Sequence, residues 1–139
     1  MTIRILLVDD SQAFLTAVRR FIQSMDGVEV VGQAHDGREA LAMAEKLMPD
    51  LMLLDISMPE LNGLEVAKRM QSWPQAPLIV FLTMHDNTGY RSAAQEVGAA
   101  GFLYKPNVTA ELALFIERLV ADQCHPTSDV TLARKLQND

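Results

Sequence analysis

Five short apolar segments rich in β-branched residues recur along the chain, and each is followed by a segment whose apolar residues recur at helical spacing. The five strand-like segments span residues 3–8, 28–33, 51–54, 78–82 and 101–104. Strands that alternate with helices are typical of βαβ units, whose parallel strands are joined by right-handed crossovers. The pattern therefore predicts an α/β fold: a doubly wound, five-stranded parallel sheet with helices on both faces.

The helical segments carry recognisable start signals. Ser11 is positioned as an N-cap for the first helix, Asp36-Gly37 forms a turn before the second, and Asn62-Gly63 opens the third, which runs through Met70. The fourth segment, about 87–97, has few apolar residues, which predicts loose packing. The fifth has the regular apolar face of a core helix, formed by Leu112, Phe115, Ile116, Leu119 and Val120.

Length and composition bound the architecture. With 139 residues, 49% of them hydrophobic, the chain has material for one compact domain, which we place at residues 1–122. Residues 123–139 are a polar C-terminal tail or the start of a linker, and the sequence does not distinguish the two. The net charge is −6 and the basic residues are scattered, so we expect no nucleic-acid binding by this chain alone.

The sequence has no feature of a membrane or secreted protein. Its longest apolar run, residues 5–8, is far short of the roughly 20 residues that span a bilayer, and the N-terminus lacks a signal-peptide pattern. The single cysteine, Cys124, permits no internal disulfide. We therefore expect a cytoplasmic protein.

Charged or hydroxyl side chains follow four of the five predicted strands. Asp9-Asp10 follows the first, Asp55 the third, Thr83 the fourth and Lys105 the fifth. In a sheet of order 2-1-3-4-5 the first and third strands are neighbours, so the three carboxylates would converge at the switch point. Clustered carboxylates repel one another unless a proton, a base or a cation intervenes, and hard oxygen ligands suit Mg²⁺.

The loop after the first strand, residues 9–13, has no glycine. It is therefore neither a dinucleotide fingerprint nor a phosphate-binding P-loop, since both need bare backbone N–H groups around a phosphate. With Mg²⁺ bridging, Asp55 could attack phosphorus while Thr83 and Lys105 receive charge on the transferred oxygens. Taken singly, each residue has a structural explanation, such as helix capping for the acidic pair. Their joint placement favours the chemical interpretation.

The motifs together resemble the receiver domain of response regulators in two-component signalling systems. The resemblance is carried by four stretches and covers about residues 3–120. These stretches are ILLVDD at 5–10, DISMPELNG at 55–63, LT at 82–83 and GAAGFLYKP at 98–106. The resemblance implies a flavodoxin-like (βα)5 receiver fold. The stretch 82–85 further resembles receivers of LuxR-type transcription regulators.

The resemblance implies a role for each acidic residue. Asp55 would be the phosphoacceptor, taking a phosphoryl group from a sensor histidine kinase or a histidine phosphotransfer protein. Asp10, Asp55 and the backbone carbonyl of Ser57 would bind Mg²⁺, with Asp9 nearby through water. The only catalysis expected is self-catalysed phosphotransfer to Asp55 and its autodephosphorylation.

It also implies a switch. Lys105 would be the counter-ion of the phosphoryl group, and the Lys105–Pro106 bond is expected to be cis. Thr83 and Phe102 would be the switch pair: Thr83 moves toward the phosphoryl oxygens and the Phe102 ring turns into the vacated space. This would change the surface of the fourth helix, fifth strand and fifth helix, through which a homodimer or an output protein would bind.

Some positions depart from the family pattern or tune it. The switch residue is often Tyr, and Phe102 has no hydroxyl. Met84 stands where many receivers have a small residue, and its long side chain is expected to narrow access to the phosphoryl group or to slow its hydrolysis. Ser57 and His85 occupy positions that tune dephosphorylation. The first-helix surface around Gln12, Phe14 and Leu15 is expected to select the kinase, although Phe14 also belongs to the apolar stripe of that helix.

The sequence has three alternative interpretations. A phosphatase of the haloacid dehalogenase type needs a second Asp two residues after the nucleophile, and Ser57 stands there. A docking module without phosphorylation predicts the loss of an acidic residue or the lysine, and none is lost. The chain could also be the receiver part of a longer LuxR-type DNA-binding regulator, which the sequence leaves open.

Overall fold

The computed structural model describes residues 2–84 and 88–123, which form a five-stranded parallel sheet flanked by helices. The strands are β1 (Ile3–Val8), β2 (Val28–Ala34), β3 (Leu51–Asp55), β4 (Leu78–Thr83) and β5 (Gly101–Tyr104). The helices are α1 (Gln12–Gln23), α2 (Gly37–Leu47), α3 (Gly63–Met70), α4 (Thr88–Glu96) and α5 (Val108–Gln123). The strand order is β2-β1-β3-β4-β5, so the predicted fold and order are confirmed.

The sheet separates two apolar layers. One layer packs α1 and α5 against alternate residues of the central strands, such as Ile5 and Leu7 of β1. The other packs α2, α3 and α4 against the opposite face, to which Leu6 and Val8 contribute. Because successive strand residues point to opposite faces, a strand buried on both sides reads as a continuous apolar run. This is why the predicted strands were visible in the sequence.

The predicted helix starts are confirmed by their caps. The Ser11 hydroxyl accepts a hydrogen bond from the Phe14 N–H, the Asp36 carboxylate from Glu39 and the Asn62 amide oxygen from Glu65. Each bond satisfies a donor that the first helical turn otherwise leaves unpaired. The caps fix where α1, α2 and α3 begin after β1, β2 and β3.

The register of the central strands aligns their carboxyl ends. Val8 of β1 pairs with Leu54 of β3, and Asp55 pairs with Leu82 of β4. Asp9, Asp55 and Thr83 therefore lie at the same edge of the sheet. Strands β2, β3 and β4 each extend one residue beyond the predicted limit, so Asp55 and Thr83 are the last residues of their strands rather than the first residues of loops.

The Lys105–Pro106 bond was expected to be cis, and this expectation is wrong. The peptide bonds of the described residues are all trans. Lys105–Asn107 form one 3-10 turn that continues into α5, with Pro106 inside that turn. A trans proline with its fixed φ suits the first turn of a helix, where its missing N–H leaves no bond unmade.

Helix α4 has a narrow buried face. Of its described side chains only Ala94 is fully buried, while Tyr90 is half-buried, which agrees with the weak apolar pattern of the sequence. Three predicted features lie outside the described residues: the start of the fourth helix at residue 87, His85, and the tail 124–139 with Cys124. Within the described part of the chain, no helix combines the length and apolar character needed to cross a bilayer.

Candidate functional site

Three carboxylates meet at the carboxyl edge of the sheet. Asp9 and Asp10 directly follow β1, and Asp55 ends the neighbouring β3. One carboxylate oxygen from each lies within 4.8 Å of the others, with Asp9 and Asp55 buried and Asp10 exposed. The predicted convergence is confirmed. It arises because β1 and β3 are adjacent and parallel, so the two chain segments end at the same height.

Lys105 supplies the positive charge within this cluster. Its ammonium nitrogen lies 2.5 Å from Oδ2 of Asp9 and 3.2 Å from Oδ2 of Asp55. The lysine side chain is only 10% exposed. The lysine follows β5 and reaches the cluster across the end of β4. The order of the strands therefore brings it to Asp9 and Asp55, which are distant in sequence. Ion pairs this well buried resist screening by salt far more than surface pairs do.

Backbone donors orient the two buried carboxylates. The Ser11 N–H donates to Oδ1 of Asp9 at 2.8 Å, and the Ser57 N–H donates to Oδ1 of Asp55 at 3.1 Å. Each bond closes a short turn in which an Asp side chain caps the N–H two residues on. In both residues Oδ1 is thereby engaged by the loop and Oδ2 is directed to Lys105.

Burial and mutual repulsion perturb the acidities of these groups. Burial and the neighbouring Asp9 charge raise the pKa of Asp55 to about 6, with Lys105 opposing the rise. Burial likewise raises the pKa of Asp9 above its ordinary value, against the hydrogen bond from Lys105. Burial favours the neutral form of Lys105, but its bond to Asp9 and the two negative charges outweigh this and raise its pKa. Two buried carboxylates thus share one cation.

The donor set fits a small hard cation. The cluster offers three carboxylates whose oxygens lie close enough to share one ion, and the exposed Asp10 leaves one side open to solvent. Mg²⁺ favours one or two carboxylates, retained waters and a phosphoryl oxygen. The net charge of the four side chains is negative even with Lys105 in place, so a divalent cation would relieve the repulsion that raises the pKa of Asp55.

Gly63 lets the loop after β3 fold tightly over the site. A Cβ at this position would lie within van der Waals overlap of the Asp55 carbonyl oxygen and 3.0 Å from Cα of Ile56. Its N–H also donates to the Ile56 carbonyl at 3.0 Å. Only glycine allows this approach, which holds the start of α3 against the strand that carries Asp55.

Thr83 and Phe102 occupy neighbouring strands at different depths. Thr83 is fully buried at the end of β4 and pairs with Tyr104, whereas Phe102 pairs with Phe81, two residues farther from the edge. Phe102 is half-buried against the layer of α2, α3 and α4, and the guanidinium carbon of Arg91 lies 4.8 Å from its ring centroid. The structure brings the predicted pair to adjacent strands. Their movement as a switch stays a prediction.

Met84 directly follows Thr83 and is 55% exposed. Its side chain is therefore largely in solvent and outside the core, and its effect on access to the phosphoryl group stays a prediction.

The sequence interpretation missed the contact between Phe14 and Lys105. Phe14 was expected in the apolar stripe of α1 and also on the surface that selects the kinase; it is half-buried, and its ring centroid lies 4.8 Å from Nζ of Lys105. Leu15 was expected on the same kinase-facing surface and is buried. Phe14 and Leu15 are adjacent on the helix, and helical periodicity could not tell which of them faces the site until the position of Lys105 was known.

A polar link also ties α1 to α2 beside the site. The His35 ring nitrogens lie 2.7 Å from Oε1 of Gln12 and 3.1 Å from Oε1 of Glu39. The link joins the first residue of α1 to the first turn of α2, across the end of β2. No pattern in the sequence indicated it.

Comparison with known proteins identifies one family. Residues 5–117 match the model of the response regulator receiver domain. The chain is 35% identical over 122 residues to the response regulator GacA of Pseudomonas viridiflava, which covers 87% of this chain and 56% of that protein. It is 30% identical over 128 residues to the response regulator UvrY of Escherichia coli, covering 92% of this chain and 59% of that protein. The chain thus spans less than two thirds of the length of these relatives.

Solved structures give the same result. A LuxR-family two-component response regulator from Aurantimonas is 34% identical with a TM-score of 0.80, over 88% of this chain and 87% of that chain. The chemotaxis protein CheY4 of Vibrio cholerae is 36% identical with a TM-score of 0.74, over 85% of this chain and 98% of that chain.

Proposed function

Because the chain belongs to the response regulator receiver domain family, we propose that it is a phosphorylation-dependent signalling switch with Asp55 as its phosphoacceptor. The observation that carries the proposal is the convergence of Asp55, Asp9 and Asp10 with Lys105 at one edge of the sheet. A docking module that is never phosphorylated has no need to bury two carboxylates whose pKa values are raised by doing so.

The phosphoryl donor is a phosphohistidine of a sensor kinase or a histidine phosphotransfer protein. A carboxylate oxygen of Asp55 attacks phosphorus, the phosphorus–nitrogen bond breaks, and the imidazole leaves with the electron pair and takes up a proton. The product is a mixed anhydride on Asp55. Asp55 must be ionised to attack, and a pKa of about 6 leaves it mostly ionised above neutral pH.

Receiver domains bind Mg²⁺ at such an acidic pocket. Here Asp10, Asp55 and the backbone carbonyl of Ser57 would hold the ion, with Asp9 through water. When bound, Mg²⁺ supplies charge neutralisation for the incoming phosphoryl oxygens. Lys105 and the Thr83 hydroxyl donate hydrogen bonds to those oxygens, since both groups reach this edge of the sheet.

The output is a change on the surface formed by α4, β5 and α5. Thr83 moves toward the phosphoryl group, and the Phe102 ring turns inward to fill the space. Because Phe102 has no hydroxyl to bond, the burial of its ring carries the bias between the two states. The altered surface then binds a second copy of the chain or an output protein in the cytoplasm.

We place the receiver at residues 1–122, with 123–139 as a tail or the start of a linker. The longer regulators that match the chain, and the LuxR-family structure, favour a second candidate: this receiver is the regulatory part of a DNA-binding transcription regulator. In that case duplex binding would come from elsewhere in the protein. The described residues, with their scattered bases, would still bind no DNA on their own.

The direct test is phosphoryl uptake. The full chain is incubated with Mg²⁺ and a small acyl phosphate, and its intact mass is measured. We expect one added phosphoryl group in the wild type, none in Asp55→Asn, and normal uptake in the matched control Asp26→Asn, which removes an exposed carboxylate before β2. An unchanged wild-type mass, or uptake by Asp55→Asn equal to the wild type, would overturn the proposal.

A further inference from the structure

The aromatic ring of Phe14 covers the lysine of the site. Nζ of Lys105 lies over the ring, 4.8 Å from its centroid, while the same nitrogen contacts Asp9 and Asp55. An ammonium has three N–H donors, and two carboxylates engage two of them, which leaves the electron-rich ring face available to the rest of the cation. Phe14 sits in the first turn of α1, which the Ser11 cap fixes at the edge of the site.

We propose that Phe14 is a positioning residue for Lys105: its ring holds the ammonium above the Asp55 carboxylate, where the transferred phosphoryl oxygens arrive. This rests on the proposed function of Asp55. Without the ring, the long lysine side chain would be free to turn toward solvent and lose the geometry that receives the developing charge. The ring also shields the ammonium from water, which strengthens its attraction to the anions.

The alternative is that Phe14 only fills space on the core face of α1. Phe21 provides the comparison, because it lies seven residues on, on the same helix face and about 10 Å farther along the axis. Both rings are half-buried and pack against the same apolar layer. If Phe14 merely packs, truncating either ring to leucine should have similar effects.

The experiment compares phosphoryl uptake from a small acyl phosphate, which removes any effect of α1 on kinase docking. We expect Phe14→Leu to lower the initial rate about three- to tenfold, the factor that a partly desolvated cation–π contact corresponds to. Phe14→Tyr keeps the π face and should restore the rate to within about twofold of the wild type. Phe21→Leu should lower the unfolding midpoint and leave the rate unchanged.

A second readout observes the contact itself. In protein with ¹³C-labelled lysine, the Lys105 ε-methylene protons should resonate upfield in the wild type and Phe14→Tyr, because the nitrogen bonded to that methylene lies over the ring. In Phe14→Leu and the second variant Phe14→Met they should move to the position of an exposed lysine. Phe21→Leu should leave them in place.

The outcomes separate the two proposals. If the wild type takes up no phosphoryl group, the proposed function of Asp55 fails, while the lysine resonance still reports whether Phe14 contacts Lys105. If the wild type takes it up and Phe14→Leu is equally fast, or if Phe14→Tyr is as slow as Phe14→Leu, the positioning role is overturned. An unchanged lysine resonance in Phe14→Leu would overturn it as well.

Discussion

Replacing Asp55 by asparagine should stabilise the metal-free protein at neutral pH. Asparagine has nearly the same shape as aspartate and can still accept the hydrogen bond from the Ser57 N–H. The substitution removes one of the two buried anions that face Lys105. It therefore removes the repulsion from Asp9 and the burial cost of the charge, while the lysine keeps its pairing with Asp9.

The size of the effect follows from the pKa of Asp55. This pKa is raised from 3.8 to about 6 in the folded protein, and the shift corresponds to about 3 kcal/mol at most, since each pKa unit is worth about 1.4 kcal/mol. A raised pKa means that the folded state binds the proton more tightly than the unfolded chain. The stability that protonated Asp55 provides is present below pH 4 and is lost as the pH rises through about 6. We expect Asp55→Asn to match the wild type near pH 4 and to exceed it by about 1–3 kcal/mol at pH 7.5.

The measurement is urea denaturation of both proteins in a metal chelator, at several pH values from 4 to 7.5. The exposed-site variant Asp26→Asn should follow the wild type throughout. Excess Mg²⁺ should narrow the gap at pH 7.5, because a ligand that binds only the folded state adds stability to the wild type. A less stable Asp55→Asn at pH 7.5, or a difference that does not change with pH, would refute the electrostatic reasoning.

Three further substitutions test neighbouring parts of the site. Lys105→Met should raise the pKa of Asp55 above about 6, as measured by ¹³C-carboxyl NMR, because the opposing positive charge is lost. The free energy of unfolding of the metal-free variant, measured in urea, should then fall more steeply with rising pH. An unchanged pKa of Asp55 would contradict this. Gly63→Ala should lower the free energy of unfolding, measured in urea, by about 1–3 kcal/mol, because the added methyl group would overlap the Asp55 backbone. The control Gly101→Ala, whose Cβ would meet neighbours at 3.4 Å, should lower it less. Equal losses in the two variants would argue against the steric explanation. Asn62→Ala should lower the free energy of unfolding by about 1 kcal/mol, because it removes the N-cap of α3. An unchanged free energy of unfolding in urea would mean that the cap is dispensable.

The sequence specified most of the fold and the charged part of the site. Parallel strands place their carboxyl ends at one edge of the sheet. The strand order, once assumed, therefore predicted that Asp9, Asp55 and Lys105 lie close together. The helix starts were readable because Ser11 and Asn62 are side chains that cap locally. Topology and local capping depend on residues close in sequence or on a small set of fold rules, and both are visible in a single sequence.

The remaining features depend on contacts between distant segments. The ring of Phe14 meets Lys105 across most of the chain length, and its position in the amphipathic pattern is equally typical of a core residue. The link of His35 to Gln12 and Glu39 has no sequence signature either. The Lys105–Pro106 bond was expected to be cis because of the family resemblance alone, and the turn that leads into α5 accommodates it in trans.

Stability and function oppose each other at Asp55. The ionised carboxylate is needed to attack phosphorus, yet burial and the charge of Asp9 make that same ionised form unfavourable in the folded protein. Lys105 offsets part of this cost from 3.2 Å away, and the ring of Phe14 lies against the ammonium of that lysine. The three substitutions should therefore differ in kind. Asp55→Asn gains stability and loses uptake, Lys105→Met loses both, and Phe14→Leu loses rate out of proportion to stability. If Lys105→Met and Phe14→Leu instead lose rate and stability in the same ratio, the lysine would be a structural counter-ion and the aromatic ring would have no separate part in positioning it.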